Sequence, residues 1–287
     1  DRLRSRGLGD VYKRQVMCYE RTAHTERNAG RLRIWYRKIV SRWIDAIDCN
    51  GILCGEYVRS LGFDSKRLTF GHMVADISGM SRTIQNIANE DIVKVKKELK
   101  IPPKGLMILF VGQLIPIKGV DQLLTAWKQF KSHCKENCTL VYVGYGRLEQ
   151  PLRDRIVNEK IQDVILIGGI DYDSIAQYYK AADCFILPTV EDNWSLVVPE
   201  AMACGLPVAT TIYNGCHPEL ITKENGWVFD TYNEQSIIDT LQNIVNNKER
   251  LKEMGEVSKR IVSKHTAERA AQSIMAAIDI AQKHCKK

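Results

Sequence analysis

Through the second two thirds of the chain, apolar residues come in short unbroken runs, set apart by stretches where they recur every three or four positions. The runs fall at residues 107–111, 140–143, 164–167, 184–187 and 208–211. Runs of that length without alternation predict strands buried on both faces. Between them Val120, Leu123, Leu124, Trp127 and Phe130 share one helical stripe, and residues 237–245 and 251–262 also read as helical. Strand and helix in alternation predict an α/β unit: a parallel sheet covered by helices on both sides. Such sheets hold ligands beyond the carboxyl ends of their strands, so the loops after the strands become the places to search for chemistry.

The first hundred residues are less regular. Strands are predicted at residues 16–19, 46–54 and 68–74, a helix at 56–61 closed by Gly62, and helical spacing from 83 to 99. The run Ile101-Pro102-Pro103-Lys104-Gly105 then breaks the pattern as a linker does. Leu32, Trp35, Tyr36, Ile39, Val40 and Trp43 fall on one helical face, with Arg31, Arg33, Arg37, Lys38 and Arg42 around the rest. A basic amphipathic helix of this kind admits peripheral contact with a membrane surface, but packing of the apolar face on a sheet is the expectation. A last helix, 266–284, lines up Ala267, Ala270, Ile274, Ile278 and Ala281. The predicted organisation is a leader at 1–15, a first domain at 16–99, a second domain at 100–265 and a closing helix within 266–287. The leader has five basic residues among Gly and Ser and no periodicity. It resembles a translated adapter or vector remnant and is set aside.

No apolar run approaches the length of a membrane span, and no secretory signal is visible. The charge balance is mildly basic, 41 Lys+Arg against 34 Asp+Glu, net +7. That permits attraction to an anionic ligand or membrane surface and requires neither. The nine cysteines are scattered, with no C-x-x-C pair and no histidine at zinc spacing. Reduced thiols, a cytoplasmic location and no metal site are the expectation.

The most specific stretch runs from Leu187 to Ala209. A strand ends at Pro188, the acidic loop Glu191-Asp192-Asn193 follows, and a helix carrying Glu200 is stopped by Gly205 and Pro207. Asp192 and Glu200 are eight positions apart. The stretch resembles the Glu-x7-Glu signature of retaining glycosyltransferases of family 4, closely so from Ser195 to Val208. The resemblance implies the GT-B fold, with one complete Rossmann-like parallel-sheet domain here and a partial N-terminal one. It also implies a nucleoside-diphosphate sugar as donor. Glu200 would then hold the ribose hydroxyls, and backbone N–H groups of Ser195, Leu196 and Val197 would face the diphosphate, flanked by Asn193 and Trp194. The first acidic position, Asp192 or Glu191, would touch the donor sugar.

Further loops fit the same resemblance. Gly112-Gln113-Leu114-Ile115-Pro116-Ile117-Lys118-Gly119 stands where the family has Gly-Arg-Leu-x-x-x-Lys-Gly. Lys118 would neutralise the diphosphate, while Gln113 donates a hydrogen bond without the usual charge. Gly144-Tyr145-Gly146 lacks the third glycine of a dinucleotide fingerprint and reads as a tight turn, one that by resemblance borders the donor pocket. Gly169 and Ile170 would read the base. Asp171-Tyr172-Asp173 has the form of a metal-binding pair but is better explained by an N-cap at Asp171. Asn214-Gly215-Cys216-His217-Pro218-Glu219 resembles the family's Gly-Gly-x-Pro-Glu loop, with His217 a loop residue. Glu20 and His24, after the first strand, are candidates for the acceptor side.

The resemblance implies a hexosyltransferase of bacterial polysaccharide biosynthesis, acting without metal or other cofactor. It would move a sugar to a glycan or lipid-linked acceptor with retention, and no nucleic acid is involved. Because the first domain is short for this fold, an N-terminally truncated, non-catalytic nucleotide-sugar-binding fragment is the competing reading. A sugar-nucleotide epimerase of the same fold is a third.

Overall fold

The computed structural model describes residues 14–283, so most of the leader at 1–15 and the last four residues lie outside the described residues. The described residues form two compact units, one within 1–73 and 267–287, the other of residues 74–266.

The larger unit carries a six-stranded sheet. Its strands are β4 (Leu106–Val111), β5 (Cys138–Val143), β6 (Val164–Gly168), β7 (Cys184–Leu187), β8 (Val208–Thr211) and β9 (Gly226–Phe229). They lie in the order β6-β5-β4-β7-β8-β9, and every neighbouring pair is parallel. The chain winds outward from β4 to β6, then returns to lay β7 on the other side of β4. Loops leaving β4 and β7 therefore diverge to opposite faces and open a crevice between them. β4 is buried from Met107 to Val111, as an unbroken apolar run requires when helices cover both faces. One cover is α5 (Val120–His133), which buries Val120, Leu123, Leu124, Trp127 and Phe130. The polar ends of the large core aromatics are matched: Trp127 Nε1 donates to the Gln162 carbonyl at 3.0 Å and the Tyr142 hydroxyl to the Val120 carbonyl at 3.1 Å. The other helices after the strands are α6 (Glu149–Asn158), α7 (Tyr172–Ala181), α8 (Val197–Ala203), α9 (His217–Leu220), α10 (Glu234–Asn246) and α11 (Leu251–Val262).

The division falls at Met73, not at the Ile101-Pro102-Pro103-Lys104-Gly105 run. The predicted 83–99 helix is two helices, α3 (Ile77–Asn86) and α4 (Asn89–Glu98), and both belong to the larger unit. The reason is side-chain capping. Lys180 Nζ donates to the carbonyls of Ile84 (2.8 Å) and Ile87 (2.7 Å), closing α3, and Lys96 pairs with Asp183 at 3.0 Å.

The smaller unit has three parallel strands, β1 (Val16–Tyr19), β2 (Ala46–Cys49) and β3 (Leu68–Phe70), in sequence order. The predicted 46–54 strand stops at Cys49, because Gly51 begins α2 (Ile52–Ser60). One face of the sheet packs Ile47, Cys49 and Leu68 against Cys54, Val58 and Phe63. The other receives α12 (Ala267–Lys283), whose Ala277 and Ala281 close on Ala46. Helix α1 (Arg31–Val40) departs from the expectation. None of its residues is buried, and Leu32, Trp35, Tyr36 and the following Trp43 are each more than 60% exposed. Its inward face is set instead by Arg37, which donates to the buried Glu26 carboxylate at 2.7 Å and to the Tyr57 hydroxyl at 2.7 Å.

Candidate functional site

Three loops meet at the carboxyl edge of the large sheet. The loop after β4 turns at Gly119, whose φ of +67° and approach to Pro188 admit only glycine: an added Cβ would stand 1.9 Å from the Pro188 carbonyl oxygen. The Ile117 carbonyl accepts from Val190 N–H (2.9 Å) and Thr189 Oγ1 (3.0 Å), tying this loop to the one after β7. The loop after β8 joins them, since Asp192 N–H donates to the Tyr213 carbonyl (3.2 Å) and Gly215 N–H to the Asp192 carbonyl (2.9 Å).

Within this lacing Lys118 forms an ion pair with Asp192 Oδ2. Asp192 Oδ1 accepts from Trp194 N–H at 3.1 Å, so both carboxylate oxygens are engaged and the side chain is fixed. Asp192 thus faces the lysine. A hollow of about 220 Å³ opens on the β6 side of β4. Gly112, Gln113, Gly144, Gly169 and Ile170, five positions singled out from sequence, all line it, together with Tyr145 and Ile175.

Glu200 sits in the first turn of α8, with Pro199 where a proline is tolerated. Ala201, Met202 and Ala203 around it are buried, and Gly205 (φ +79°) ends the helix, Leu206 N–H reaching back to the Ala201 carbonyl at 3.1 Å. Two phenols hold its carboxylate, Tyr179 at 3.3 Å on Oε2 and Tyr172 at 3.5 Å on Oε1. Burial pushes the Glu200 carboxyl up; the two tyrosine hydrogen bonds oppose that, and the charge of Asp76 adds to it. Burial, then the Glu200 charge, pushes Tyr172 up to about 12, so it stays protonated and a donor. Neither tyrosine was singled out from the sequence. Their signal was available: they lie seven positions apart on α7, hence on one face, behind the N-cap that Asp171 supplies to Ser174 N–H at 2.8 Å.

Other predicted positions fall differently. Burial pushes the nearby Cys216 thiol up, the Asp192 charge adds to this, and the Ser195 N–H partly offsets it. Ser195 Oγ and Trp194 Nε1 are buried without a hydrogen-bond partner. Leu196 is exposed and Val197 half-buried at the start of α8. Asn193 is half-buried in the same loop. His217 Nδ1 lies 2.9 Å from the Asn214 carbonyl, a contact within its own loop. Glu20 belongs to the smaller unit, where Oε1 stands 4.0 Å from His72 Nε2. The His24 carbonyl accepts from Arg27 in the turn after β1.

The family model for glycosyl transferases group 1 matches residues 91–261, more than half of the chain. The chain belongs to the glycosyl transferases group 1 family. Its match covers β4 through α11, the sheet and loops just described. This group 1 chain is similar to an uncharacterized glycosyltransferase of Methanocaldococcus jannaschii, 26% identical over 166 residues, 58% of this chain and 46% of the relative. It is similar also to a GDP-mannose-dependent monoacylated alpha-(1-6)-phosphatidylinositol monomannoside mannosyltransferase of Corynebacterium glutamicum, 28% identical over 173 residues, 58% of this chain and 45% of that one. The chain spans about half the length of the curated relatives it matches. Among solved structures it resembles Anabaena HepE in complex with UDP, with a TM-score of 0.78 at 17% identity, over 94% of this chain and 74% of that one. The fold is that of the GT-B glycosyltransferases. No helix among the described residues is long and apolar enough to cross a membrane.

Proposed function

We propose that this chain binds a nucleoside-diphosphate sugar as part of a retaining glycosyltransferase of family 4, which passes a hexose to a glycan or lipid-linked acceptor without a metal. The observation that carries this reading is the Lys118–Asp192 pair, held where the loops after β4, β7 and β8 are laced together, on the same loop after β4 that lends Gly112 and Gln113 to the hollow. As the anomeric C–O bond breaks, negative charge grows on the departing diphosphate. Lys118 supplies a fixed cation there, and stabilisation of charge that develops only in the transition state lowers the barrier. Asp192 takes a hydroxyl of the donor sugar, and Glu200, held by Tyr179 and Tyr172, takes the ribose hydroxyls. Gly169 and Ile170 bound the base end of the hollow. HepE is solved with UDP and the C. glutamicum relative is GDP-mannose-dependent, so both bases belong in any screen.

Peripheral contact with the inner face of the membrane fits α1. At about 100° per residue, Trp35, Ile39, Leu32 and Tyr36 share an arc of roughly 100°. Three of the four are exposed, and Arg31, Lys38 and Arg33 border the arc.

A thermal-shift screen with UDP-, GDP- and ADP-sugars tests the donor reading. One donor family raises the melting temperature, and Glu200→Ala abolishes the shift with the fold intact. A donor shift that survives Glu200→Ala removes this carboxylate from the site. Binding without sugar transfer by the chain supports the binding-fragment reading over the complete enzyme.

A further inference from the structure

Cys134 and Cys138 are the most closely spaced cysteines in the chain. Cys134 follows the last turn of α5 and Cys138 opens β5, so both stand at the amino edge of the large sheet. Lys118 precedes the other end of α5, about 20 Å away along the helix axis, so this pair is remote from the loops described above. Lys135, Glu136 and Asn137 between the two cysteines are exposed, Cys134 is half-buried and Cys138 is buried.

One side chain draws the two thiols together. Lys131 pairs with Asp163 at 2.8 Å and reaches over the turn, where its Nζ donates to the Glu136 carbonyl at 3.3 Å and to Cys138 Sγ at 3.8 Å. Cys134 Sγ lies 4.0 Å from that same Glu136 carbonyl, and its thiol is a hydrogen-bond partner of Cys138. Burial pushes the Cys138 thiol up; the Lys131 ammonium opposes this, and Cys134 and Asp163 add to it. On Lys131 burial acts downward, but Asp163, Cys138 and Cys134 outweigh it, so the ammonium stays charged beside both sulfurs. A second pair, Cys49 and Cys54, is also in contact, yet both members are fully buried. The two pairs differ in access from water, and access together with thiolate character decides which thiols react.

We propose that Cys134 and Cys138 are a thiol–disulfide exchange site, at which a small disulfide from solution is reduced and the chain gains a cross-link. Cys134, the reachable member, loses its proton and attacks one sulfur of the small disulfide. That S–S bond breaks, and the departing thiolate takes up a proton. Cys138, deprotonated beside the Lys131 ammonium, then attacks Cys134 Sγ; the mixed disulfide breaks, and a second small thiolate leaves and is protonated. Two protein thiols lose two electrons, and one small disulfide becomes two thiols. The site is independent of the donor reading.

Oxidised glutathione added to the reduced whole chain tests this, with the remaining thiols then alkylated and the protein cut by trypsin. Cleavage after Lys131, Lys135 and Arg147 puts the two cysteines on separate peptides, 132–135 and 136–147, which the new disulfide joins. The joined peptide accumulates while Cys49 and Cys54 are recovered alkylated. Cys138→Ser stops at the Cys134 mixed disulfide, and Cys134→Ser leaves Cys138 without glutathione. Lys131→Met prolongs the mixed disulfide about tenfold, the effect of one pKa unit on the thiolate population. The inference is overturned if the folded chain yields no joined peptide, if glutathione stays on Cys134 without closure, if Cys49 and Cys54 join as fast, or if Lys131→Met closes at the parent's rate.

Discussion

Asp192→Asn separates the ion pair with Lys118 from the proposed contact with the donor sugar. In the free chain Asp192 Oδ2 holds the Lys118 ammonium, and Oδ1 accepts from Trp194 N–H at 3.1 Å. The amide keeps an oxygen for Trp194, so the loop stays in place while the charge is removed. The two side chains are 23% and 13% exposed, so the pair is neither a free surface contact nor a dry one. Exposed pairs are worth roughly 0.2–1 kcal/mol and charge-assisted hydrogen bonds roughly 1.5–3 kcal/mol. A value of about 1.5 kcal/mol lies between these ranges. A diphosphate must compete with Asp192 for the ammonium, so relief of that competition strengthens UDP or GDP binding about tenfold. The donor sugar simultaneously loses its carboxylate, so the affinity of the sugar nucleotide relative to the bare nucleotide drops by a similar factor. Lys118→Met weakens both ligands about tenfold or more. Titration calorimetry of the two variants with nucleotide and sugar nucleotide reads all four quantities. The reasoning is refuted if Asp192→Asn weakens the bare nucleotide, because the carboxylate would then be supporting Lys118 rather than competing for it.

Three other changes probe separate parts of the molecule. Glu200 has a raised carboxyl, and in the proposed donor site it binds ribose as the ionised carboxylate. Donor affinity therefore falls as pH drops through that raised value, and Tyr179→Phe moves the midpoint to higher pH by removing an opposing hydrogen bond; superimposed pH profiles for the two proteins contradict the clamp. By the same linkage, the Glu200 term in folding stability weakens as pH rises from the ordinary carboxylate range through the raised value. Gly119→Ala forces a Cβ against the Pro188 carbonyl at positive φ and costs about 2 kcal/mol or more in urea unfolding; a neutral effect means the two loops part without penalty. Replacing Trp35 and Trp43 together by serine lowers sedimentation with phosphatidylglycerol vesicles about tenfold, and added salt weakens binding of the parent chain; equal sedimentation with neutral vesicles argues for another role of the exposed arc.

The parts of this fold that could be read from sequence are those where a single physical requirement dominates. Central strands β4, β5 and β7 must be apolar on both faces, and Leu106 to Val111 says so without reference to anything distant. Edge strand β9 escaped notice because Gly226-Trp227-Val228-Phe229 is short and its two middle residues are not buried. Periodicity located the stripe of α1 but not its direction, since a helical wheel does not say which side meets the sheet; the buried Glu26 beneath Arg37 decides that. The Pro102-Pro103 run broke a helix, as expected, without dividing the units. Lys118, Asp192 and Glu200 were singled out because two local stretches resemble the family's motifs, each within one loop or helix. By contrast Asp48 and His72 are 24 positions apart and meet only through the pairing of β2 with β3, a contact no local pattern encodes.

A helix that follows the larger unit in the chain completes a sheet that precedes it. Residues 74–266 are contiguous and can collapse while synthesis continues, but the β1–β3 sheet keeps its Ala46 and Asp48 face bare until residues 267–283 have left the ribosome. Contacts of such long sequence separation form slowly. Nascent chains arrested before Ala267 should therefore resist protease across the larger unit and be cut within the smaller one.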